Sequence, residues 1–222
     1  MAKDRKYTQE IILIEKARAS YPNLLAPTAY KDGPKSYSVA LIVDKNSENA
    51  KLITTLIPKM FLQHFGANAQ KILNHVTEDK KSRFYEDGDK KLDKDLNQIP
   101  YLAGQLVLTV KTSEDQPHKF FTAEGKEVDF KNPVAWQAEG RKFYGGCYVN
   151  AAVQLWVQDN DYGRAIRAKL IGIQFAGDGE ALGGTSSGPD VSSLFKPSGG
   201  ATASIPPLPS TPFGSTPAFV ED

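Results

Sequence analysis

Alternation of apolar and polar residues at period two dominates the chain up to Leu182. The clearest run spans residues 147–158. There Cys147, Val149, Ala151, Val153, Leu155 and Val157 share one face, and Tyr148, Asn150, Ala152, Gln154, Trp156 and Gln158 share the other. A turn over 159–163 then predicts a returning strand over 165–175. Further strands are expected over 11–19, over 37–43 (ended by Asp44-Lys45-Asn46), over 105–112 around Leu106, Leu108 and Val110, and, shorter, over 120–122.

One stretch has helical spacing instead. Leu52, Ile53, Leu56, Ile57, Met60, Phe61 and Phe65 recur on one side of a helix, with Ser47 placed to cap its start and Gly66 to close its end. Pro58 inside that pattern predicts a kink or a division. Five or more strands with an intervening helix point to a mainly β fold, a small antiparallel barrel or sandwich. No internal repeat is present.

From Gly183 onward both periodicities stop, and Gly, Pro, Ser and Thr dominate. Such a composition buries too little apolar surface to offset the entropy of ordering it. The expected organisation is therefore a folded domain over 1–182 and a flexible tail over 183–222. The tail ends in Phe219, Val220, Glu221 and Asp222, an acidic tip that carries an aromatic.

Charge changes the picture once it is divided in the same way. The whole chain is at +1, which by itself argues against a nucleic-acid partner. In the tail, Asp190, Glu221 and Asp222 stand against Lys196, a net of −2, so the body keeps 26 basic and 23 acidic residues, a net of +3. The lone Cys147 excludes an intrachain disulfide and suits a reducing compartment, and His64, His75 and His118 have no ligand-like spacing. No apolar run is long enough to span a bilayer, so the expectation is a soluble cytoplasmic protein with no membrane contact.

Signatures of nucleotide hydrolysis, the serine nucleophile elbow and the zinc-protease helix are absent. A Mg²⁺-dependent nuclease would need paired carboxylates and a lysine, for which Asp115, Glu124 and Lys126 are the candidates. The same Glu124-Gly125-Lys126 also reads as a turn between strands, with Gly125 supplying a positive φ. The acids of 86–95 alternate with lysines and read as a solvated loop.

Aromatic residues interleaved with basic ones are the richer signal. Trp136, Arg141, Lys142, Phe143, Tyr144, Tyr148, Trp156, Tyr162, Arg164, Arg167 and Lys169 gather around the main strand, and Arg83 and Tyr85 follow Lys80-Lys81. Single-stranded nucleic acid is held by this combination, because bases stack on rings while cations neutralise phosphates. Tyr148 and Trp156 would stand about 26 Å apart on one strand, at about 3.3 Å per residue. Burial in a core accounts for each ring equally well.

Residues 17–27 (Ala-Arg-Ala-Ser-Tyr-Pro-Asn-Leu-Leu-Ala-Pro), 37–43 and 87–89, Tyr101 with Gly104, residues 143–150 (Phe-Tyr-Gly-Gly-Cys-Tyr-Val-Asn), 173–175 and 178–180 together resemble a known family. It is that of the bacteriophage single-stranded DNA-binding proteins typified by the one from phage Enc34. The resemblance implies an OB-like antiparallel barrel with one or two inserted helices, similar to the corresponding protein of T7-like phages. It implies a non-catalytic, cofactor-free protein that coats single-stranded DNA in the host cytoplasm during phage replication, recombination and repair. On this reading Tyr144, Tyr148, Trp156 and Tyr85 are the stacking candidates, and Arg141, Lys142, Arg164, Arg167, Lys169 and Arg83 the phosphate contacts. Gly145 and Gly146 would permit a bulge or the approach of a DNA backbone. In the tail, Phe219, Glu221 and Asp222 would contact replication or recombination proteins. The alternatives are the nuclease, and an adaptor acting mainly through protein contacts.

Overall fold

The computed structural model describes residues 8–29 and 33–182. Seven strands and three helices follow in the order β1 (Gln9–Thr28), β2 (Ser36–Asp44), α1 (Glu48–Phe65), α2 (Ala69–Glu78), β3 (Tyr85–Asp87), β4 (Gln105–Ser113), β5 (Lys119–Phe121), α3 (Pro133–Gly140), β6 (Tyr148–Asn160) and β7 (Gly163–Gly177). Five of the strands close a barrel. Antiparallel pairing links β4 to β2, β2 to β1, β1 to β6 and β6 to β7, and a single parallel register pair, Lys111 with Lys169, joins β7 back to β4. This is the strand order of the OB barrel. The short β3 extends β4, and β5 pairs in parallel with β7.

Closure of the ring can be followed along one edge of β7. Ile166 N–H donates to Ser82 O at 2.8 Å, Lys169 faces β4, and Gly172 to Gln174 face β5. Three separate segments thus satisfy an edge that would otherwise present unpaired groups to water.

The period-two reading of β6 holds along its length. Val149, Ala151, Val153, Leu155 and Val157 are all buried, while the alternate positions are half-buried or exposed. The matching inner faces of β2 (Val39, Leu41, Val43), β4 (Leu108, Val110) and β7 (Ile166, Leu170) complete the core.

Helix α1 begins where expected, with the Ser47 side chain accepting from Ala50 N–H, and ends at Gly66 with φ 57°. It is not divided: the helix runs through Pro58. Thr54, whose carbonyl would have paired with the missing N–H, lines an open cleft in reach of water. Ala50, Ile53, Ile57, Met60 and Phe61 face inward, so the buried stripe omits Leu52, which is exposed.

Two helices absent from the sequence reading complete the set. In α2, Ala69, Ile72, Leu73 and Val76 are buried at helical spacing; with α1, it forms an insertion between β2 and β3. In α3, Asn132 caps Ala135 N–H and Pro133 occupies the first turn. Trp136 of α3 packs on Phe120 with ring centroids 4.3 Å apart, and Phe143 stacks on the same ring at 5.2 Å. Both Trp136 and Phe143 are therefore core residues. His118 is enclosed by Tyr37, Phe120 and Trp136, and neither ring nitrogen has a hydrogen-bond partner. Burial drives its pKa down from 6.5 to about 4, so it is neutral in the folded protein at pH 7.

Among the described residues no helix is long and apolar enough to cross a membrane. The expected tail over 183–222, with Phe219, Glu221 and Asp222, lies outside the described residues.

Candidate nucleic-acid interface

The outer faces of three barrel strands meet in one groove. On β4 the pattern that buries Leu108, Val110 and Thr112 leaves Thr109, Lys111 and Ser113 outward. On β7, inward Ile166, Ala168 and Leu170 leave Arg167 and Lys169 outward, and β2 contributes Ser36 and Ser38. The β1–β2 connection forms one wall with Thr28, Ala29 and Gly33 to Lys35, and the segment after α2 forms the other with Lys80, Lys81, Arg83 and Phe84. The groove encloses about 1000 Å³ and reaches Trp156 on β6.

Its charge is one-sided. Among the described residues the lining includes Lys35, Lys80, Lys81, Arg83, Lys111, Arg167 and Lys169, and no Asp or Glu. At the rim Lys35 approaches Glu114 at 4.0 Å. Lys169 Nζ donates to the neutral Gln116 Oε1, so its charge stays uncompensated there. Lys111 and Lys169 sit opposite each other at barrel closure, an arrangement unfavourable to the fold unless an anion lies between them.

Arg167 has a double role. Its guanidinium donates to Lys81 O at 2.6 Å and to Gln158 Oε1 at 3.0 Å, fastening the wall to the barrel floor. Burial lowers its pKa from the ordinary arginine value, Asp79 opposes that, and the guanidinium stays charged. Arg83 lines the groove on one side and a smaller cleft on the other, where its guanidinium lies 6.0 Å from the centre of the Tyr85 ring.

Of the residues singled out from the sequence, the groove brings together Arg83, Trp156, Arg167 and Lys169. Tyr85 is half-buried and lines the smaller cleft, with burial raising its phenol pKa. Arg164 sits by the β6–β7 turn, paired with Asp159 at 3.2 Å and 5.5 Å from the Phe65 ring. Arg141 is exposed just after α3, and Lys142 pairs with Glu139 at 2.8 Å.

Tyr144 and Tyr148 stand at the far end of β6 from Trp156. The Tyr144 hydroxyl donates toward Asp178 Oδ1 and Gly179 O, and Gly179 N–H donates to it, each at 3.0 Å. What approaches Gly145 and Gly146 is the chain itself. Leu182 N–H donates to Gly145 O at 2.7 Å, and a Cβ on Gly146, at φ 116°, would run into the Glu180 carbonyl. The expectation of a DNA backbone at these glycines gives way to a packing requirement of the segment 178–182. Tyr148, 40% exposed, is the register partner of Arg18, whose guanidinium donates to Glu180 O.

Asp115, Glu124 and Lys126 are divided between two turns. Asp115 follows β4, whereas Glu124 and Lys126 belong to a tight turn closed by Thr122 and Lys126 backbone bonds around Gly125 at φ 78°. Among the described residues no group of three His, Cys, Asp or Glu is placed to hold a metal ion.

The groove residues that the sequence reading missed are Lys35, Lys111, Lys80, Lys81 and the polar floor. Each stands alone or beside acids in sequence, and only the strand register brings them together.

Comparison with known proteins agrees with this architecture. The family model described as Enterobacter phage Enc34, ssDNA-binding protein, matches residues 10–196. A protein named p50 from Acyrthosiphon pisum secondary endosymbiont phage 1 is 27% identical over 176 residues, 78% of this chain and 86% of its own. The single-stranded DNA-binding protein of bacteriophage Enc34, solved in complex with ssDNA, is 27% identical with a TM-score of 0.56, covering 78% of this chain and 89% of that one. Another structure of that protein gives 25% identity and a TM-score of 0.54 over 84% of this chain and 90% of the other. The chain belongs to the family of the Enterobacter phage Enc34 single-stranded DNA-binding protein.

Proposed function

We propose that this protein binds single-stranded DNA along the groove between the β1–β2 connection and the segment after α2, coating it with little sequence preference and without catalysis. The observation that carries the reading is that the described residues line the groove with seven Lys and Arg side chains and no carboxylate, on an OB barrel. A related phage protein of the same family has been solved with ssDNA.

Lysines act as point charges and neutralise phosphates without reading base edges. Trp156, half-buried at the groove, offers a ring face on which any base can stack. Lys111, Lys169, Lys80, Lys81 and Arg83 are assigned to phosphates, with Arg167 chiefly holding the wall. Coating of this kind serves phage DNA replication, recombination and repair in the host cytoplasm. Phe219, Glu221 and Asp222 are assigned to contacts with other replication proteins.

Fluorescence anisotropy of labelled oligonucleotides across a salt series tests the proposal. Counterion release from the five assigned phosphate contacts gives a slope of log K on log salt of about −3.5 for a single strand. Equal affinity for duplex and single strand would sink it. Labelled DNA incubated with Mg²⁺ should stay intact, whereas a nuclease would shorten it. Deleting 183–222 should leave DNA binding in place while removing any protein partner captured through the tail.

A further inference from the structure

Away from the groove floor, β1 carries an exposed and strained aromatic. Tyr21 is 79% exposed and has φ 46°, a left-handed conformation that costs a residue with a Cβ. Pro22 follows it, and a residue before proline is further restricted towards extended geometry. The strain comes from a bulge, because pairing with β2 shifts register between Ser20, opposite Ala40, and Asn23, opposite Ser38.

Lys16, in the β1 bulge opposite β6, has a comparable φ of 49°, but there Asn150 Oδ1 accepts from Lys16 N–H at 2.9 Å. Glu15 beside it is held in both directions by the Asn49 side chain. Tyr21 has weaker local support, a 3.4 Å bond from Asn23 Nδ2 to its carbonyl. An unfavourable backbone kept in order to present a large ring to solvent points to a use for the ring.

Position supplies that use. Asn23 and Ser38, the next register pair after the bulge, both line the cationic groove. On the other side stands Tyr101, packed on the outer patch of Ile42, Leu102 and Val107. Burial, and then the nearby Tyr21, raise the Tyr101 phenol pKa, while Arg18 opposes them. The bulge thus lies where the groove runs out onto an outer face that carries Tyr101 and Arg18.

We propose that Tyr21 is a base-stacking residue at the exit of the groove, receiving the nucleotide that leaves the Lys111 and Lys169 floor and directing the strand towards Tyr101. This rests on the groove reading. The ring is offered to a base because Asn23 and Ser38, the register pair beside the bulge, already line the cationic groove, and a nucleotide supplies an anion and a flat apolar face together.

The test compares Tyr21→Phe, Tyr21→Gly and Lys111→Ala on labelled single strands of about 4 and about 16 nucleotides, the range one such barrel covers. Tyr21→Phe should bind both like the wild type. Tyr21→Gly should lose about tenfold on the longer strand, and little on the shorter. Its melting temperature should be unchanged or higher, since glycine accepts φ 46° without strain. Wild-type affinity of Tyr21→Gly for the longer strand, with Lys111→Ala weakened, would overturn the stacking role and leave the groove standing. Unweakened binding by Lys111→Ala would instead remove the groove reading beneath it. A lower melting temperature for Tyr21→Gly would make the ring a structural element and also overturn the proposal.

Discussion

The two ends of β6 differ in what they do with the same residue types. At the Trp156 end, lysines and arginines converge from four segments around an open groove, and among the described residues no lining carboxylate neutralises them. At the Tyr148 end, the aromatics and cations are already engaged: Tyr144 by Asp178 and Gly179, Lys142 by Glu139, Arg18 by Glu180. The second end holds the most specific motif in the sequence, residues 143–150. That motif is specific because nearly every position in it packs. Phe143 stacks on Phe120, Gly146 admits the Glu180 carbonyl, and Cys147 and Val149 are fully buried. Specificity in sequence here follows steric demand, while the proposed binding chemistry lies where demand is looser.

This contrast can be broken by exchange of charge. The double variant Lys111→Glu, Lys169→Glu should lose about a thousandfold in single-strand affinity at low salt, because two phosphate contacts become repulsions. Anisotropy titration of the variant checks it. Thermal melts across pH sharpen the separation of fold from binding. His118 is depressed in the folded state, so the unfolded chain takes up its proton first as pH falls below about 6.5. Stability should therefore decline from there to about pH 4, by about 2 to 3 kcal/mol in total. His118→Phe should flatten that part of the profile and leave the salt slope of DNA binding unchanged.

Smaller effects belong to the other end of the strand. Tyr144→Phe should cost about 1 kcal/mol in denaturant melts by releasing Asp178 and Gly179, with DNA affinity intact. Least of all, Arg141→Ala with Lys142→Ala should change affinity by less than about twofold, since an ion pair already occupies Lys142 and such exposed pairs contribute little. A large loss in that variant would show that the strand runs past Tyr144 after all.

Local regularity was legible and convergence was not. Alternation placed β6 and its buried face, and Ser47 and Gly66 placed both ends of α1. The sequence shows β1 only in part, because register shifts around Lys16, around Tyr21 and between Asn23 and Thr28 break the period on which such a reading depends. α2 carries helical spacing in Ala69, Ile72, Leu73 and Val76, and α3 announces itself by Asn132-Pro133; both signals were available. β3, three residues long, exists only because β4 offers it an edge. Arg83, Trp156, Arg167 and Lys169 could be named from the sequence, but their common surface depends on a parallel pairing between positions 58 apart, Lys111 and Lys169. Tyr144 and Lys142 carried the same residue types, and their hydrogen-bond partners 178–179 and 139 were invisible at that level.

The single register pair that closes the barrel has a consequence for motion. A seam with one matched position, and a lysine on each side of it, is where the barrel should breathe most readily, β4 parting from β7 while the antiparallel joints stay shut. A polyanion lying across Lys111 and Lys169 would hold both lips together, and mass action would deepen that hold with each increment of ligand. Amide exchange around 109–111 and 167–169 should then slow on DNA addition more than anywhere else in the barrel. The cargo would finish the cylinder that carries it.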